Sequence, residues 1–143
     1  MLELLVVVTL IGIFSSVITM RYGRTLFGEF GSRSVARQLS LDLLTCQRAA
    51  IRSGEDHLLQ FTLAGGRALD YSLLRDTGTG TVLVDGPRTF SNDVTVTVST
   101  AQMRFNFEGA AAANHWINLV GQARSWRIDV VPINGAIRVT QTN

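Results

Sequence analysis

The chain has 143 residues, enough for one domain with a modest core, and its 46% hydrophobic content is that of an ordinary globular protein. All 13 basic residues are arginine, and the formal net charge of +2 is too small to demand nucleic acid as a partner. Cys46 is the one cysteine, which excludes an intramolecular disulfide and leaves the fold to apolar packing.

The chain opens MLELLVVVTLIGIFSSVITM. After Glu3 no charge occurs until Arg21, so Leu4 to Met20 is an uncharged run of 17 residues. At ~1.5 Å per residue such a helix covers about 25 Å, just short of a ~30 Å hydrocarbon core. Thr9, Ser15, Ser16 and Thr19 can return their hydroxyls to the helix backbone, so they do not forbid an apolar setting. Residues 1–20 are therefore expected to form a transmembrane or filament-core helical segment. Glu3 is the exception within it: a carboxylate near the end of an apolar helix is costly unless partnered, which makes it a functional candidate. A secretory signal peptide would want a basic start and a small-residue cleavage site, and neither is present. A plain membrane anchor leaves Glu3 unexplained.

Arg21, Arg24, Arg33 and Arg37 come next and suit a headgroup zone. Gly23, Gly28 and Gly31 each lower helix propensity by ~1 kcal/mol, which allows a bend, or a linker followed by a separate short helix. From Ser34 to Ser53 Val35, Leu39, Leu43, Cys46 and Ala50 line one helical face, with Arg37, Asp42, Arg48 and Arg52 mostly off it. Ser53-Gly54 supplies a stop. One long helix, Leu2 to Ser53, is the expected arrangement, with 21–54 its amphipathic continuation.

Beyond Gly54 the period changes to two. His57 to Leu63 and Ala68 to Leu74 flank Gly65-Gly66 as a hairpin. Thr81 to Val84 is a short strand ended by an expected turn at Asp85-Gly86-Pro87. Val94 to Val98, Met103 to Phe107, Trp116 to Val120, Trp126 to Val131 and Ala136 to Thr140 complete the set. Residues 55–143 thus read as an antiparallel β domain of sandwich type, and the whole chain as α+β.

No catalytic, cofactor-binding or metal-binding constellation is legible, and an enzyme is not expected. His57, His115 and Cys46 are too few and too scattered for a metal site, and Cys46 falls on the apolar helical face. Asp76-Thr77-Gly78 is one copy of a triplet that aspartic proteases need twice. Gly65-Gly66 lacks the rest of a phosphate loop.

Two stretches carry a family resemblance. Leu2-Glu3-Leu4-Leu5 and the apolar run after it resemble the N-terminal segment of type IV pilins and type II secretion pseudopilins, with Glu3 on the family glutamate. Met103 to Gly109, Trp116 to Leu119, Trp126 to Val131 and Asn134 to Val139 resemble the GspH/FimT pseudopilin domain, although Ala136 stands where that family often has Arg. The resemblance implies a pilin-like fold, with the long helix packed on the β domain, and a minor pseudopilin or minor pilin. That is a non-catalytic structural subunit, priming or capping a type II secretion pseudopilus or type IV pilus. It implies an upstream leader ending in Gly, a prepilin peptidase to remove it, and N-terminal methylation. It also implies single-pass residence in a bacterial inner membrane with the C-terminal domain in the periplasm, then a filament with other pilins or pseudopilins as partners through their N-terminal helices. There Glu3 would face the N-terminal amine of a neighbour, and an unpaired charge costs several kcal/mol, so pairing would fix the axial register. The alternative implied is a DNA-binding minor pilin of a competence pilus, resting on Arg124, Arg127 and Arg138. Asp129 dilutes that patch, and Arg127, alternating with Trp126 and Ile128, is expected to face solvent.

Overall fold

The computed structural model describes residues 2–142, with side chains described at 6–15 and 31–142. Helix α1 runs unbroken from Leu2 to Ser53, 52 residues, straight through Gly23, Gly28 and Gly31. The separate short helix is not formed. Propagation in a long helix is cooperative, and no proline interrupts it, so isolated glycines are absorbed. Gly54 ends it as expected: φ is 71°, and its N–H donates to the Ala50 carbonyl at 3.0 Å.

Eight strands follow, β1(His57–Ala64), β2(Arg67–Asp76), β3(Thr81–Thr89), β4(Thr95–Val98), β5(Gln102–Phe105), β6(His115–Val120), β7(Ser125–Val130) and β8(Ile137–Thr142). They form two four-stranded antiparallel sheets, ordered β3-β2-β1-β5 and β4-β6-β7-β8. Period-two alternation gives each sheet one apolar face. Leu59, Phe61, Tyr71, Leu73, Met103 and Phe105 from the first sheet meet Val96, Ile117, Leu119, Ile128 and Val130 from the second. Leu39, Leu43, Cys46 and Ala50 of α1 complete the same core, with Val35 packed at its margin. The helix therefore docks with the face its sequence marks out.

Most strand ends fall within two residues of expectation, and two differences have a clear local cause. Asp85-Gly86-Pro87 is not a turn but the middle of β3, whose Asp85 sits opposite Leu73 and whose Arg88 sits opposite Tyr71. Register shifts on both sides of Leu73 absorb the irregular segment, and an edge strand tolerates proline because the lost N–H is not owed to a neighbour. Gly86 is required there: φ is 107°, and a Cβ would lie 3.1 Å from the Ser72 Cα and the Tyr71 carbonyl oxygen. Strand β5 stops at Phe105 instead of Phe107, because the Asn106 side chain accepts the N–H groups of Glu108 and Ala110 and turns the chain. Among the described residues no helix is long and apolar enough to cross a membrane, and of the expected 1–20 segment only the side chains at 6–15 are described.

Candidate functional site

The site is the helix itself, in two parts. In residues 6–15 every side chain is exposed. Val6, Val7, Val8, Leu10, Ile11, Ile13 and Phe14 are 47 to 63% exposed, and they occupy all sides of the helix. The Thr9 hydroxyl donates to the Val6 carbonyl at 2.9 Å, so its polar group is satisfied within the helix. The apolar side chains of this cylinder stay uncovered by the rest of the described chain. At roughly 25 cal/mol per Å² its apolar surface favours burial against lipid or other helices. Glu3 belongs to this helix by its backbone, but its side chain lies outside the described residues, as does Met1.

The second part is clamped to the β domain by polar side chains as well as by the core. Asp42 accepts the Tyr71 hydroxyl at 2.6 Å and an Arg88 N–H at 2.9 Å, and Arg88 also pairs with Asp85. Burial, and then the hydrogen bond to the Asp42 carboxylate, push the Tyr71 phenol above its ordinary range. The Asp42 charge in turn raises the Arg88 pKa further. One turn on, Gln47 donates through Nε2 to the carbonyls of Gly109 at 2.8 Å and Asn134 at 3.0 Å. Asp42 thus ties α1 to β2 and β3, and Gln47 ties it to the loops after β5 and β7. Neither role is evident from the sequence; the only hint is that Asp42 directly precedes the core residue Leu43 on the border of the apolar face.

Of the arginines named from sequence, Arg127 lies on the outer face of the second sheet, as expected. Its Nε donates to Asp129 at 2.9 Å and its guanidinium stands 5.6 Å from the Trp116 ring centroid. Arg138 is directly opposite Asp129 in the β7–β8 register. Arg127 and Arg138 therefore flank one carboxylate. Arg124 is exposed in the β6–β7 turn, where its carbonyl accepts the Gly121 N–H.

The remaining candidates are structural. Cys46 is fully buried, and burial pushes its thiol up to about 12, far from a reactive thiolate. His57 opens β1, as expected, and His115 opens β6 one residue ahead of the expected start at Trp116; both are buried. Burial lowers the His115 pKa. The Asp76 carboxylate accepts the Gly78 N–H and pairs with Arg104, which makes the Asp-Thr-Gly triplet a turn. Among the described residues no group of three His, Cys, Asp or Glu side chains could hold a metal.

A long helix packed by its C-terminal half on antiparallel sheets defines the pilin-like α+β fold. Solved structures with this arrangement include minor pilins and minor pseudopilins. The minor pseudopilin EpsH from the type 2 secretion system of Vibrio cholerae has a TM-score of 0.64 at 15% identity, over 78% of this chain and 97% of that one. The type IV minor pilin FimU of Pseudomonas aeruginosa has a TM-score of 0.62 at 13% identity, over 86% of this chain and 92% of that one. At such identity the likeness is one of fold. No protein-family model matches the chain, and no curated protein matches it in sequence.

Proposed function

We propose that the chain is a minor pseudopilin-like or minor pilin-like subunit, a non-catalytic structural component of a type II secretion pseudopilus or type IV pilus that primes or caps the filament. The supporting observation is one continuous helix whose second half is fixed in its own domain while residues 6–15 present apolar side chains on every side. A segment of that kind rests in the inner membrane, with the β domain in the periplasm, and later packs against the helices of neighbouring subunits. Glu3 sets the register there by meeting a neighbour's N-terminal amine, since a buried carboxylate is tolerated only when paired. The DNA-receptor reading draws less support, because Asp129 already engages Arg127 and stands opposite Arg138.

The test is Glu3→Ala in the native host. Membrane level should hold, because the change makes the helix more apolar. Crosslinks to other pilin-like subunits should fall, because the neighbour's amine loses its partner. Unchanged crosslinks would leave Glu3 an acid at the membrane surface and remove this mechanism.

A further inference from the structure

Strand β3 is the outermost strand of the first sheet, so one row of its backbone N–H and C=O groups meets no strand among the described residues. Its two halves are treated differently. The second half is blunted by devices that discourage pairing: Asp85 and Arg88 carry charge, Pro87 lacks a donor, and the register shifts disturb the ladder. The first half has no charge and no proline, and of the register shifts only the one between Leu73 and Leu74 reaches it, at its end, Val84. Val82, Leu83 and Val84 carry no charge and are 47%, 55% and 51% exposed. Residues of both pleat faces are open together, so this is an unpaired apolar edge and not one surface-facing side chain.

We propose that Thr81–Val84 pairs with the same segment of a second copy of the chain, antiparallel and centred on Leu83. The run Val82-Leu83-Val84 reads the same in both directions, so a two-fold pairing puts Leu83 against Leu83 and each Val82 against the partner's Val84. That register also places each Asp85 opposite the partner's Thr81, which leaves the two carboxylates about 14 Å apart at opposite ends of the ladder. Centring on Val84 instead brings them to within two residues of each other and sets Asp85 against Leu83. A two-fold contact closes on itself and cannot propagate. The pair therefore masks the edge of subunits held outside a filament; that role rests on the filament reading, whereas the pairing does not.

The register makes the test specific. In an antiparallel pair directly opposed Cα atoms are about 4.5–5.5 Å apart, within disulfide range, while residues displaced by two positions are about 8 Å apart, beyond it. Full-length Leu83→Cys, in its membrane under a mild oxidant, should form a disulfide dimer. Val82→Cys alone should give at least ten times less, and differently tagged Val82→Cys and Val84→Cys copies mixed together should crosslink. Cys46 is buried and can stay in place. Should Leu83→Cys not fold, the mixed pair carries the same test. No dimer, equal yields at 82, 83 and 84, or a disulfide only to a different protein would each overturn the pairing. Glu3→Ala does not touch this edge: dimers without filament crosslinks would remove the filament reading alone, and the reverse would remove the pairing alone.

Discussion

The two ends of α1 use similar apolar residues for opposite purposes. Residues 6–15 carry valine, leucine, isoleucine and phenylalanine around the whole circumference, all exposed. Residues 36–50 gather most of the same chemistry into one stripe, Ala36, Leu39, Leu43, Cys46 and Ala50, all buried, with Leu41 left exposed off it. Pattern, not hydrophobicity, separates the half that binds its own domain from the half that its own domain leaves exposed. The docked half also carries polar anchors, Asp42 and Gln47, that fix its rotation and axial position on the sheets.

That contrast can be broken by substitution. Leu43→Ala removes buried methyl groups at the helix–sheet interface and should cost about 2–5 kcal/mol of domain stability. Ile11→Ala should cost the domain nothing measurable. Thermal unfolding of both full-length variants is the check, and a comparable loss from Ile11→Ala would mean that the first half also packs on the domain. Asp42→Ala should cost less, about 1–3 kcal/mol, by leaving the Tyr71 hydroxyl and Arg88 without their acceptor. Arg88 is 39% exposed, so water compensates part of the loss. Chemical denaturation should also show Tyr71→Phe losing only about 1 kcal/mol, since it deletes one hydrogen bond and leaves the ion pair.

The smallest effect is in pH. Burial holds His115 below its ordinary 6.5 in the folded chain, so the unfolded chain takes up that proton more readily. Its contribution is fully present above pH 6.5 and is lost as pH falls from there towards the lower folded value. His115→Gln should flatten that part of the stability curve while leaving the curve above pH 7 parallel to wild type. An unchanged slope between pH 6.5 and 5 would show that His115 titrates normally.

Helical period over Val35 to Ala50 and strand alternation after Gly54 were legible because burial on one face leaves a trace in spacing. The second half of β3 was not, because Gly86-Pro87 carries the local signature of a turn. What keeps it a strand is tertiary: Arg88 is drawn to Asp42, 46 residues away, and the bulges opposite Leu73 take up the mismatch. The Asp42–Tyr71–Arg88 cluster was hidden for the same reason, since each residue alone looks like an ordinary surface or strand position. Glu3 is the converse case, plain in sequence but with its side chain outside the described residues.

The division of α1 is tested most directly by a photocrosslinking scan of the full-length protein in the native host. A photoreactive residue would replace Val7, Ile11 or Phe14 in turn, with exposed Leu41 of the docked half as comparison. The expected result is adducts with other pilin-like subunits at all three N-terminal positions, which share one face of the helix, and at least tenfold fewer at Leu41. Adducts with lipid alone at Val7, Ile11 and Phe14, under conditions where filaments form, would contradict a helix that assembles by packing against its neighbours.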